Sequence, residues 1–348
     1  MPLPFPRRLA VPVLIAAALA LGVSPRLAAD LTWIPGKGWQ LEGGSLSGLA
    51  GPQGRAALEL MNKARKDEEE GSLHAAIKAY ERVARKYQSS VYAPEALYRS
   101  GSLLMHRKQY YKAFADLSTM IARYPNSKRF NDVIGAQYQV AAALMDGAHN
   151  RIWGWFPGPT NRIRAIEYFR VIVAEAPYSD YAPLSLMDAA RGFQMDKDTD
   201  EAIDSLDRLV NTYPQSVLAP VAYLKLGDLH ASLSEGPKYD QASTKEAMTY
   251  YEDFMILYPG DPNIAQAARG VDRMKTILAQ SKIYIGDYYF YKRLNFTAAK
   301  VFYNEAITAF PDSPSATLAK KRLAELTAKA NKENIRPRTA PKKRFWLF

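Results

Sequence analysis

The chain of 348 residues contains no cysteine. Disulfides, cysteine nucleophiles, cysteine-ligated zinc and acylation of a cysteine within these residues are therefore excluded, and stability must come from packing alone. Histidine is nearly as scarce. His74, His106, His149 and His230 are dispersed, with no His-x-x-x-His or His-Glu pair of the kind that holds a metal, and each reads as a surface or helix-end residue. Long apolar runs are few, and the one at Leu9–Val23 contains Pro12 and falls short of the ~20 residues a spanning helix needs. Preceded by Arg7-Arg8 and followed by Ser24-Pro25-Arg26-Leu27-Ala28-Ala29, it has the order of a secretory signal, with cleavage expected after Ala29. No glycine cluster follows a strand and opens a helix, which removes the usual phosphate-binding loops. With no acid-base pair or activated nucleophile in view, neither catalysis nor a cofactor is expected.

What is present is 48% hydrophobic and 23% charged, the balance of a folded chain. The net charge of +11 suggests a polyanion partner until its location is traced. Residues 1–29 hold Arg7, Arg8 and Arg26 against no acid, and Lys329–Arg344 holds seven basic residues against Glu333, which leaves about +2 on the body between. Nucleic acid is not expected as a partner.

A registered repeat organises the body. Tyr124-Pro125, Tyr213-Pro214 and Tyr258-Pro259 recur, with Phe310-Pro311, Ala176-Pro177 and Tyr87-Gln88 as variants. Twelve residues before each second position stands an alanine: Ala76, Ala113, Ala165, Ala202, Ala247 and Ala299. Two residues after it comes Ser90, Ser127, Ser179, Ser216, Asp261 or Ser313. Alanine suits the place where two helices press together; the aromatic closes the last turn, proline ends the helix, and Ser or Asp can accept from the free amides of the next helix. Ala64, Gly101 and Ala190 lie twelve before their alanines and mark the matching spots on first helices. Gly101, Ala113 and Pro125 have tetratricopeptide spacing. The expected fold is all-α, a tetratricopeptide-repeat solenoid of about six helix pairs over residues 55–330, closed by a capping helix from Ala316 to Ala330 with Leu318, Leu323 and Leu326 inward.

Successive repeat positions are 37, 52, 37, 45 and 52 residues apart, so the third, fifth and sixth repeats carry insertions expected in loops. The insertion at Gly147–Thr160 holds Trp153, Trp155 and Phe156. These either face a partner or lipid or fold back onto the solenoid, with the packed arrangement favoured. Residues 30–54, glycine-rich with Trp33 and Trp39, read as a tether. Residues 331–348 read as a basic-aromatic tail ending Lys342-Lys343-Arg344-Phe345-Trp346-Leu347-Phe348. Aligning the first three repeats puts Met61, Arg65, Tyr98, Ser102, Met105, Tyr138 and Met145 on an inner face suited to a peptide; the alternative is that several pack between repeats.

The last repeat, Ile283-Tyr284-Ile285-Gly286-Asp287-Tyr288-Tyr289-Phe290-Tyr291-Lys292-Arg293 followed by Phe296-Thr297-Ala298-Ala299 and Phe310-Pro311-Asp312-Ser313-Pro314, resembles the BamD family of outer-membrane-protein assembly factors. So does the first pair, with Ala76-Ile77-Lys78-Ala79-Tyr80 and Tyr92-Ala93-Pro94-Glu95-Ala96-Leu97-Tyr98. The resemblance, over roughly residues 55–328, implies a periplasmic scaffold at the inner face of the outer membrane. It would bind C-terminal segments of unfolded barrel proteins through the inner-face residues and dock to a barrel-assembly subunit through its C-terminal repeats. Members are normally lipoproteins held by an acylated cysteine, which this chain does not contain. Lys342, Lys343, Arg344, Phe345, Trp346 and Phe348 could substitute by touching anionic lipid or a partner, or the end Trp346-Leu347-Phe348 could occupy the chain's own groove. A scaffold for cell-envelope synthesis or division is the alternative, and an enzyme with its site in the insertion loops is disfavoured.

Overall fold

The structure, a computed structural model, describes residues 30–42 and 52–335. The export signal expected at 1–29 and the tail residues Lys342 to Phe348 lie outside the described residues. Packing divides the chain into two units, one comprising residues up to Val133 with Arg151–Phe156, the other Ile134–Asn150 with residues from Pro157 onward.

The first unit begins with strands β1 (Asp30–Ile34) and β2 (Gly38–Glu42), paired antiparallel with Trp33 opposite Trp39. Helices α1 (Pro52–Glu69), α2 (Leu73–Lys86), α3 (Ala93–His106) and α4 (Tyr110–Arg123) follow, each packed on the next. Helix α5 (Phe130–Met145) runs across the division, and strands β3 (Arg151–Ile152) and β4 (Phe156–Pro157) form a short hairpin after it. The second unit continues with α6 (Arg162–Glu175), α7 (Tyr181–Met195), α8 (Thr199–Thr212), α9 (Ala219–Leu233), α10 (Ala242–Leu257), α11 (Ile264–Asp287), a π-helical turn (Tyr288–Lys292), α12 (Phe296–Ala309) and α13 (Pro314–Ile335). From α6 to α13 each helix packs on its successor. Among the described residues no helix is long and apolar enough to cross a membrane.

All six registered alanines are fully buried on second helices. A Cβ added at Gly101 would lie 2.8 Å from Leu117, so the first helix also needs its small residue. Enlarging any of these positions overpacks a helix contact, at about 1–3 kcal/mol.

Helix ends differ from expectation in an instructive way. Tyr124, Tyr213 and Tyr258, each before proline, leave the helix with φ between −125° and −131°. Tyr87, before Gln88, does the same at −121°. Proline therefore reinforces an ending that is fixed elsewhere. The Tyr124 hydroxyl donates to the Gln88 carbonyl (2.6 Å) and that of Tyr213 to the Pro177 carbonyl (2.7 Å), so the aromatic ties its helix end to the preceding repeat's turn. The small residue after it also behaves differently. Ser90, Ser127, Ser216 and Asp261 accept from the amide two residues on, ahead of the helix, and Ser179 donates to the Ala176 carbonyl. Only Ser313 bonds an amide inside its helix, that of Ala316. These residues shape a turn more than they cap a helix.

Three further expectations are corrected. Residues 30–42 are not a loose tether: they pair as two strands about the turn at Pro35–Lys37, and the rings of Trp33 and Trp39 find Arg65 of α1 and Arg99 of α3 beside them. The sixth repeat's extra length sits in the 24-residue α11 and its π turn, not in a loop. Leu326 of the terminal helix is buried as expected and Leu323 packs beside it, but Leu318 faces outward.

Candidate polypeptide-binding surfaces

In the first unit, the inner face of α1 and α3 is partly taken by the chain itself. The Trp39 amide donates to Asn62 Oδ1 (3.2 Å), Arg65 lies 5.6 Å from the Trp33 ring centre, and Arg99 lies 5.7 Å from that of Trp39. Arg65 also bonds Glu68 (2.8 Å) and Glu69 (3.1 Å). Met61 is fully buried and belongs to the core; its long apolar side chain points into the helix contact instead of across the face. Tyr98 stacks under Arg129 at 4.7 Å, and the Ser102 hydroxyl donates to the Tyr98 carbonyl. Tyr98, Ser102 and Met105 are half-buried and remain reachable.

In the second unit, Met145 is buried, its terminal methyl set where a Cβ on Gly192 would stand. It too leaves the inner face. Tyr138 donates to Asp188 (2.6 Å) between the rings of Phe169 and Tyr181. Burial, and then the bond and charge of Asp188, push its phenol above the ordinary tyrosine range, so it stays a neutral donor. The inner-face set is thus reduced by two core methionines, and its two parts belong to different units.

Two concavities lie elsewhere, over the inter-repeat turns. In the second unit a cleft of about 790 Å³ is bounded by Pro177–Asp180 on one turn and Pro214–Leu218 on the next, with Pro183 and Leu184 between. Its lining is mainly apolar, and Tyr178 and Val217 stand on its rim at 100% and 90% exposure. In the first unit the corresponding turns, at Val91–Glu95 and Arg123–Arg129, bound a cleft of about 620 Å³ that Leu31 of β1 also lines. This one is charged: Arg129 pairs with Glu95 (2.5 Å) and Asp132 (3.3 Å). Both partners of the Tyr213–Pro177 bond line the apolar cleft and Tyr124 lines the charged one, so their spacing follows the repeat.

A third surface surrounds the π turn. Tyr284, Tyr288, Tyr291 and Leu294 are each about half exposed, while Phe290 is buried against Phe296. Asp287 holds the turn, accepting from the Tyr303 hydroxyl (2.7 Å) with Arg322 at 3.2 Å. Arg322 also stacks on Tyr291. Trp153, Trp155 and Phe156 do not fold back; they are 79%, 71% and 51% exposed. Of the histidines, His230, in the last turn of α9, is buried and stacked on Tyr250, a helix-end placement and not a surface one. Among the described residues no three His, Asp or Glu side chains converge as a metal set. Asp116, pushed up to about 6 mainly by burial, bonds the buried Ser100 hydroxyl inside the α3–α4 contact, which makes it structural.

Residues 160–340, just over half of the chain, match the family described as outer membrane lipoprotein, YfiO. The chain belongs to that family. Residues 95–127 match a tetratricopeptide repeat. The outer membrane protein assembly factor BamD of Caulobacter vibrioides is 26% identical over 125 residues, which are 36% of this chain and 41% of that protein. The BamD of Xylella fastidiosa is 21% identical over 156 residues, 42% of this chain and 53% of that one. The alignments thus span about half, or less, of these relatives. A solved TPR repeats protein of Bacteroides fragilis is 14% identical with a TM-score of 0.37, covering 78% of this chain and 98% of that one.

The apolar cleft and the π turn both fall inside the span shared with the outer membrane lipoprotein family. Inner-face reasoning overlooked the cleft. Its signal was Tyr178 and Val217, bulky residues inside turns and off any helical period.

Proposed function

We propose that this chain is a non-enzymatic periplasmic scaffold and receptor in the assembly of outer-membrane β-barrel proteins, peripheral to the inner face of the outer membrane. Residues 1–29 serve as its export signal and 331–348 as a basic-aromatic tail. The observation that carries the reading is that two aligned relatives are both named outer membrane protein assembly factor BamD, in a family described as outer membrane lipoprotein. Recognition works without chemistry. Unfolded barrel segments end in aromatic and apolar side chains, which suit the apolar turn-side cleft at Tyr178 and Val217 and the reachable Tyr98, Ser102 and Met105. The π turn, with four half-exposed apolar side chains on a backbone braced by Asp287, suits a folded partner subunit.

The test is photo-crosslinking in cells from Tyr178 and Tyr288 positions, with identification of the captured chains. Barrel precursors are expected from the first position and a barrel-assembly subunit from the second. Recovery of neither from a stably expressed protein would sink the proposal.

A further inference from the structure

We propose that the β3–β4 hairpin is a membrane-interface probe, whose tip of Trp153, Trp155 and Phe156 enters the headgroup region of an anionic lipid bilayer. The first support is that the tip is held out. Trp153 (φ 54°) and Gly154 (φ 86°) are both left-handed, the backbone of a tight hairpin turn. Trp153 is an uncommon residue for that region, which persists when the surroundings over-determine it. They do: Gly154 lies against Arg107 and Gln109, where an added Cβ would meet their side chains at 2.5 and 2.7 Å, and the Arg151 amide donates to the Lys108 carbonyl (2.8 Å). The backbone is pinned to the α3–α4 turn, and the indoles face away from it.

The second support concerns the occupant. The feature is a convex tip and not a groove, and Trp155 and Phe156 pack edge to face on each other, leaving the rest of their surface free. Indole has an amphipathic ring that favours the level of lipid headgroups. Along the chain, the segments that form the hairpin and its pinned base are one-sided in charge. From Ala96 to Ala115 and from Gly147 to Ile166 there is no Asp or Glu, while Arg107, Lys108 and Arg151 stand at the pinned base. Cations beside an aromatic tip match anionic headgroups. An aromatic tip and a basic base are two weak signals, and stable attachment takes two.

The inference stands apart from the scaffold reading, since vesicle binding needs none of its protein partners. Full-length protein would be floated with vesicles of phosphatidylcholine alone and with about a third phosphatidylglycerol. Binding is expected on the mixed vesicles, weaker on the neutral ones. Trp153→Ser/Trp155→Ser/Phe156→Ser is expected to lower it about tenfold or more with an unchanged melting temperature, because the side chains are exposed. Lys108→Glu/Arg151→Glu is expected to weaken only the mixed-vesicle binding, by several-fold. Removal of residues 336–348 is expected to leave the hairpin-dependent part intact. The proposal is overturned if the wild type floats with neither vesicle, or if the triple variant floats as the wild type does. It is equally overturned if the triple variant keeps lipid binding and loses a co-purifying protein, which would make a protein the occupant.

Discussion

Two hairpins in this molecule each carry two tryptophans, and their fates are opposite. In β1–β2, Trp39 is 5% exposed, Trp33 pairs with it at 5.6 Å between ring centres, and each indole has an arginine beside it. In β3–β4, the two indoles are left almost wholly in solvent. The strands themselves do not explain the difference. The first hairpin aligns its indoles with a helical face that offers a bond acceptor, Asn62, and two guanidinium planes. The second docks through its turn backbone, which points its side chains outward. Burial of a tryptophan is therefore decided by which part of its hairpin finds the neighbour.

The comparison can be broken most directly at the buried ring. Trp39→Ala should cost about 3 kcal/mol, read as lost hydrogen-exchange protection over 30–42, whereas Trp153→Ala should stay within about 0.5 kcal/mol in thermal unfolding. Equal effects from the two would erase the distinction. Next in size is a pH effect that separates undocking of the first hairpin from unfolding of the repeats beneath it. The Asp116 carboxyl is raised in the folded chain, so its contribution is fully present below about pH 4 and lost as pH rises through about 6. Asp116→Asn should gain up to about 3 kcal/mol over wild type above that range and nothing below pH 4, with protection of 30–42 following the repeats. Asn62→Ala removes the acceptor of the Trp39 amide and should cost about 1 kcal/mol of hairpin docking. Smallest of all, Arg65→Ala and Arg99→Ala should each loosen β1–β2 by about 0.5–1 kcal/mol, measured by protease nicking near Glu42, without altering the exposure of Trp153 to acrylamide quenching.

Much of the fold was legible because helix contacts leave a strict mark. Ala76, Ala113, Ala165, Ala202, Ala247 and Ala299 had to be small, and all six are buried. The first hairpin had a signal too, in Leu31/Trp33 and Trp39/Leu41 alternating about Pro35–Lys37, but glycine content outweighed it. Met61 and Met145 could not be placed correctly from spacing, since an inner face and an inter-helix contact lie within one helical turn of each other. The clefts depend on how two successive turns stand side by side, a relation fixed by long-range bonds such as Tyr213 to Pro177, 36 residues apart.

Tyr251 carries a different consequence. Its ring lies between Gly227 of α9 and Gly270 of α11, where a Cβ on either would stand 2.6 Å from a ring carbon, and its hydroxyl donates to Asp228. One side chain on α10 thus fixes the closest approach of three helices. Substitutions here must follow an order: neither glycine can gain a side chain before the ring is reduced, and reducing the ring first leaves a cavity that only a later glycine change can fill. Each route passes through an intermediate less stable than both ends, so this repeat is harder to edit one residue at a time than the alanine contacts elsewhere in the solenoid.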